Sequence, residues 1–186
     1  MTPSTTTIRK LLAVGRRMDP GRARDVAAML LKKPRLVRQV VALLWDDDPG
    51  VANRAADALE RASHTQPKLL APWKDALLGR MADATENKLR WNLAFTIGRT
   101  ALTVAETDRA AALLRSWLDD KSSIVKTSAM HGLADLTRWN PALLPEVLDL
   151  LRLLSRSGTP AMRARGRILL KRFEDRTRSK LRKGGR

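Results

Sequence analysis

The sequence predicts an all-α chain, wound as an α-α superhelix of about five antiparallel helix pairs, and three observations carry that expectation. First, one helical pattern is written four times: Val51, Ala55, Ala56 and Leu59; Leu89, Leu93, Ala94 and Ile97; Val125, Ala129, Met130 and Leu133; then Met162, Gly166 and Leu170, with Arg167 in place of a small apolar residue. The starting positions lie 38, 36 and 37 residues apart. One helix pair cannot bury its own apolar face and must lend it to a neighbour, so a period of this size marks stacked pairs. Second, the stretches between the copies carry their own apolar stripes at the i, i+3, i+4, i+7 spacing of an amphipathic helix. Third, Asp19-Pro20, Asp48-Pro49 and Thr159-Pro160 each put a side-chain oxygen at an N-cap and a proline at the first helical position, where the missing N–H costs nothing.

Taken in order, Ile8, Leu11, Leu12 and Gly15 mark the first helix of an opening pair. By the proline register its second helix starts at Arg22 and continues with Val26, Ala27 and Leu30. Arg22 replaces the apolar starter and stands only 29 residues before Val51, so residues 1–33 read as an atypical terminal cap. The first helices of the next four pairs follow from Leu36, Val40, Leu43 and Leu44; Trp73, Leu77, Leu78 and Met81; Ala110, Leu113, Leu114 and Trp117; and Val147, Leu150, Leu151 and Leu154. Gln66-Pro67 and Asn140-Pro141 mark the entries to two of them, while Thr85 and Ser122 or Ser123 are the expected caps of the second helices that lack a proline. Trp45, Trp73, Trp117 and Trp139 lie in or near the stripes and are expected in the core or at helix ends. The repeat domain is expected to span residues 1–175. After it, RTRSKLRKGGR carries six basic residues, no acid and a Gly-Gly, so residues 176–186 are expected to be a flexible basic tail.

At 186 residues and 44% hydrophobic content the chain suffices for one domain that needs no staple. Without cysteine there is no thiol nucleophile, thiolate zinc site or redox switch, and an ordinary reducing cytosol suits the composition. No run of about 18 apolar residues appears, and the N-terminal stretch is too short in apolar residues for a secretory signal, so a cytoplasmic protein is expected, with no membrane partner. Charge is unevenly placed within the net +17: residues 1–40 hold 10 basic and 2 acidic residues, residues 41–160 hold 15 of each, and residues 161–186 hold 11 and 2. Basic ends around a neutral middle favour a polyanionic partner, because each Lys or Arg placed on a phosphate releases condensed counterions. Nucleic acid, DNA or RNA, is the expected partner and an acidic protein the alternative; no small-molecule substrate is expected.

The segments DDDPGVANRAADAL, ENKLRWNLAFTIG, SSIVKTSAMHGLADL and GTPAMRARGRILL resemble the HEAT-repeat family. That family commonly has an acid in the turn, an apolar residue followed by Arg or Lys at the start of the second helix, and small residues after it. Arg90, Lys126 and Arg163 match the basic position, and Ala52 departs from it. The resemblance spans roughly residues 20–174. It implies a scaffold or adaptor with the second helices lining a concave surface, and it is nearly silent about activity.

If the second helices line a groove, the positions about two, six, nine and ten after each start face outward. They give Arg24; Asn53, Asp57, Glu60 and Arg61; Trp91, Phe95 and Arg99; Thr127, His131 and Asp135; and Ala164, Ile168, Lys171 and Arg172. Aromatics stack on bases and guanidinium groups hold phosphates, so Trp91 and Phe95 with Arg54, Arg61, Arg99, Lys171 and Arg172 form a candidate partner surface. Arg163 and Arg165 crowd the same last helix, and Arg176, Arg178, Lys180, Arg182 and Lys183 extend it into the tail. Catalytic and cofactor chemistry finds little support: His64 and His131 stand on different helices without ligand spacing for zinc, and no phosphate loop follows a strand. The Asp46, Asp47, Asp48 run fits a cap and a favourable charge at a helix start better than a cation site. HEAT-like DNA alkylation-repair glycosylases are a minor alternative, since they use a helix-borne carboxylate beside tryptophans. Here Phe95, not a carboxylate, follows Trp91 by one turn, and Asp57 and Asp135 lack a tryptophan on their own strip. A non-catalytic binding module without cofactor or metal is therefore the expectation.

Overall fold

The computed structural model describes residues 4–16 and 19–184, with side chains through residue 179. Its helices are α1 (Thr5–Ala13), α2 (Ala23–Lys32), α3 (Val37–Ala42), α4 (Pro49–Thr65), α5 (Lys74–Asp83), α6 (Asn87–Arg99), α7 (Val104–Ser116), α8 (Ser123–Leu136), α9 (Leu144–Ser157) and α10 (Pro160–Gly184). Short 3-10 turns at Pro34–Leu36, Leu43–Trp45, Pro67–Trp73, Trp117–Asp119 and Pro141–Leu143 tighten the ends of several of them, and no strand occurs among the described residues. The helices carrying the repeated pattern begin at Pro49, Asn87, Ser123 and Pro160, so the spacing of 38, 36 and 37 residues is the spacing of the helix starts themselves.

The even-numbered helices pack in succession, α2 on α4, α4 on α6, α6 on α8 and α8 on α10, and each odd-numbered helix packs against the even one that follows it. Five pairs stack in this way into an all-α superhelix, with one continuous core between the two rows. The pattern residues fill it: Val51, Ala55, Leu89, Ala94, Val125 and Ala129 are all fully buried. Among the described residues α10 packs on α8 and α9 only, and on its other side Arg167 is exposed and Leu170 half-buried. Small residues set the spacing of the even row. A Cβ on Gly132 would stand 2.8 Å from Leu114 Cδ1 and 2.9 Å from the Ala94 carbonyl oxygen, so only glycine lets α8 come this close to α6.

Local chemistry holds several helix starts. Asp48 accepts from Gly50 N–H at 2.7 Å and Thr159 from Met162 N–H at 3.3 Å, with Pro49 and Pro160 at the first helical positions. Of the acidic run, Asp46 also receives both ends of the Arg9 guanidinium at 2.7 and 2.9 Å, tying α1 to the start of α4. The basic position of the repeat has a structural use as well: Arg90 Nε donates to the Ala84 carbonyl at 2.6 Å and Arg163 donates to the Gly158 carbonyl at 3.1 Å. Ala84 and Gly158 are the C-caps of α5 and α9, so each arginine staples a second helix to the end of its first.

Four expectations are corrected. Pro20 is not a first helical position: Gly21 takes a left-handed φ of +48°, and α2 starts only at Ala23. Glu86 rather than Thr85 precedes α6, and Ser122, which precedes α8, makes no cap bond; its own N–H is held by Asp120 at 2.7 Å. Trp45, by contrast, takes a helix-end place, 47% exposed at the close of the Leu43–Trp45 turn with the Arg80 guanidinium 5.9 Å over its ring. The run after residue 175 continues as helix to Gly184, because no residue between Arg176 and Lys183 breaks a helix.

Candidate functional site

The even-numbered row leaves a cleft of about 630 Å³ whose wall includes Asp57, Glu60 and Arg61 of α4, Lys88, Trp91, Asn92 and Phe95 of α6, Ile124 of α8 and Arg165 of α10. Trp91 is 39% exposed, although Leu89, Leu93 and Ile97 of the same helix are buried. Phe95, one turn on, is half-buried and fixed on two sides: its ring lies 4.7 Å from the His131 ring at 54°, and the Arg99 guanidinium stands 5.6 Å over it. Both carboxylates of the wall are neutralised within the protein, Asp57 by Arg61 at 2.7 Å and Glu60 by Arg99 at 2.6 Å. Burial lowers the pKa of Lys88, with Arg54 and Arg61 adding to the effect and Asp57 opposing it. Asn92 is 3% exposed, and its Nδ2 has no hydrogen-bond partner.

Beside the cleft, α8 and α10 build a second cluster. His131 lies 3.3 Å from Asp135, and its ring nitrogens face Arg165 and Arg172, each at 3.5 Å. Arg172 Nη1 donates to Asp135 at 2.8 Å. Burial would raise the pKa of Asp135, but the hydrogen bond and charge of His131, then Arg172 and Arg138, outweigh it and hold the carboxyl below its ordinary value. Farther along, burial and the like charges of Arg172 and Arg138 depress the pKa of Arg176.

The fold is similar to the crystal structure of an engineered protein, at 16% identity and a TM-score of 0.57, covering 92% of this chain and 79% of that one. The likeness is one of fold alone. No family model and no curated protein matches the chain.

Of the residues singled out in the sequence, Arg61, Trp91, Phe95 and Arg165 are brought to one cleft, with Arg99 at its Phe95 end. Arg172 is adjacent but committed to Asp135, and Lys171 and Arg176 flank it on the exposed side of α10. Two expectations are corrected. Arg54 is 2% exposed, its Nε donating to the Leu12 carbonyl and its Nη1 to that of Arg16 at 3.0 Å, so it ties α4 to the end of α1 instead of meeting a partner. Arg163 is half-buried on the α9 side and serves Gly158. Arg178 faces away from the groove beside Arg152 and Phe173, and Lys180, Arg182 and Lys183 lie on α10 with side chains outside the described ones. Sequence reasoning passed over Asn92 and Lys88 because they stand off the periodic strip, and it placed His131 on that strip without its cluster with Asp135, Arg165 and Arg172, which forms across two helices.

Proposed function

We propose that the protein is a non-catalytic binding module whose second-helix groove and basic last helix engage a polyanion, DNA or RNA held chiefly through its backbone. The observation that supports this reading best is the charge imbalance of α10. Arg165, Arg167, Lys171, Arg176 and Arg178 have no carboxylate at ion-pair distance among the described residues, whereas Arg9 and Arg22 near the other end do. Basic pairs four apart on a helix, such as Arg163 with Arg167 and Arg167 with Lys171, repel by about 0.2–0.5 kcal/mol each, and phosphates alongside remove that cost. The register of the pairs and the stapling role of Arg90 and Arg163 support reading them as HEAT-like repeats, and the lack of cysteine suits a cytoplasmic setting.

Charge reversal tests this at residues that hold nothing else in place. Lys171→Glu with Arg176→Glu should weaken binding to DNA or RNA of any sequence and flatten the dependence of log affinity on log salt by about one unit per lost contact. Arg172 is left alone because of its bond to Asp135. Unchanged affinity and slope would remove α10 from the interface. The exposed Ile124 and Ile168, 56% and 61% accessible, favour the second reading, an adaptor that docks an acidic protein. Nucleic acid that co-purifies, raises A260/A280 and disappears on nuclease treatment separates the two.

A further inference from the structure

Building on the nucleic-acid reading, we propose that the cleft between α4, α6 and α8 receives one unpaired base of single-stranded DNA or RNA, with the adjoining phosphate on Arg165. Three features of the wall call for parts of the same ligand. Trp91, 39% exposed, offers an aromatic side chain on α6, where Leu89, Leu93 and Ile97 are buried. Asn92, 97% buried in the same wall, holds an amide nitrogen without an acceptor, which is an unfavourable state for a protein interior unless a ligand supplies one. Arg165 stands at the α10 side with no carboxylate partner among the described residues, while the acids Asp57 and Glu60 are already matched by Arg61 and Arg99.

A nucleotide carries all three complements on one unit: a π face, ring carbonyls or nitrogens that accept, and an anion. The volume of about 630 Å³ lies within the range of small-ligand sites, about 300–1,000 Å³, and so suits one or two bases. A paired base has its hydrogen-bonding edge and both faces already occupied in the duplex, so only an unpaired one can present a face to Trp91 and an acceptor to Asn92. Phe95, held between His131 and Arg99, closes the inner end of the platform toward the Arg165 side, because Arg165 reaches His131 itself at 3.5 Å.

The test compares three probes on the full chain: a single-stranded oligonucleotide, the same strand with abasic sites, and the duplex of equal length. Wild-type protein should bind the intact strand roughly 5- to 150-fold more tightly than the abasic one, the range that corresponds to stacking of one base. Trp91→Ala should bind the intact strand as weakly as wild type binds the abasic strand, with no further loss when both changes are combined. Duplex affinity should not respond to that substitution. Equal affinity of wild type for intact and abasic strands overturns the cleft assignment, and so does stronger binding of an acidic, aromatic-containing peptide than of the strand. If charge reversal on α10 still weakens all three probes, the polyanion reading survives that failure. Binding of none of the three removes both. The abasic comparison needs only wild-type protein, so it decides even if a variant folds poorly.

Discussion

Arg54 and Trp91 show what a single residue's neighbours decide. On a helical wheel Arg54 flanks the strip that carries Asn53 and Asp57, and nothing local tells it from Arg61. Its hydrogen-bond acceptors, the carbonyls of Leu12 and Arg16, lie 42 and 38 residues earlier in the chain, a relation that no periodicity records. Arg54→Ala should therefore lose stability, about 1–3 kcal/mol for the buried Leu12 carbonyl left without a donor, measured by urea unfolding, while the salt slope of polyanion binding stays unchanged. Trp91 was legible because its outward direction follows from the register of Leu89, Leu93 and Ala94, all buried around it. Trp91→Ala should cost under about 1 kcal/mol, against the roughly 3–5 kcal/mol of a core tryptophan, and a denaturation curve separates the two. Asn92 was not legible: a buried amide without a partner is a property of the packed wall, not of a residue type at a spacing.

At the scale of the element, the second helices could be read from sequence because each repeats a local pattern, whereas their closeness depends on residues that face one another across helices. Gly132→Val would drive a branched side chain into Leu114 and the Ala94 carbonyl, and should destabilise by about 1–3 kcal/mol or more in thermal melts. Ala129→Asp, at a fully buried position of the same helix, should unfold the chain by placing an unpaired charge between α6 and α8, seen as loss of the helical far-UV signal. Among the first helices, α7 shows how much a helix end can supply. α7 starts with a capping box in which Thr103 and Glu106 bond each other's backbone N–H, and Lys74 of α5 reaches Glu106 at 2.7 Å. Thr-x-x-Glu is a readable signature, but the repeat register draws attention to the second helices and away from it. The bond from Lys74 and those within the box hold the Glu106 pKa at about 2. Its folded value lies below its unfolded one, so its stabilisation is complete above the ordinary carboxylate range, near 4.5, and is lost as pH falls toward about 2. Glu106→Gln should make the acid limb of the melting temperature shallower across that window and leave the neutral-to-alkaline limb unaltered.

Over the whole molecule, the superhelix is set by pairwise packing and its charge is set by where pairing stops. Some central basic residues pair with carboxylates on neighbouring elements, as Arg90 does with Asp120 and Arg115 with Glu146 at 2.8 Å, whereas on α10 Arg165, Arg167, Lys171, Arg176 and Arg178 have no carboxylate at ion-pair distance among the described residues. The uneven charge was visible in the sequence; that residues 176–184 prolong a helix was not, because composition does not tell a solvated helix from a loose tail. The last of the packed apolar side chains on α10 is Phe173, and residues 174–179 are exposed. Deleting residues 176–186 therefore removes cations without opening the core. Two small effects then oppose each other in the stability. Basic residues near the end of a helix interact favourably with its dipole, by about 0.3–1 kcal/mol, and that is lost. Removing Arg176 also relieves the crowding it shares with Arg172 and Arg138, and that is gained. The melting temperature of the truncated protein should stay within a few degrees of the full chain, while polyanion affinity and association rate fall, most clearly at low salt where steering is strongest. A drop of many degrees would instead make the segment a structural extension of α10, and an unchanged association rate at low salt would deny it any part in capture.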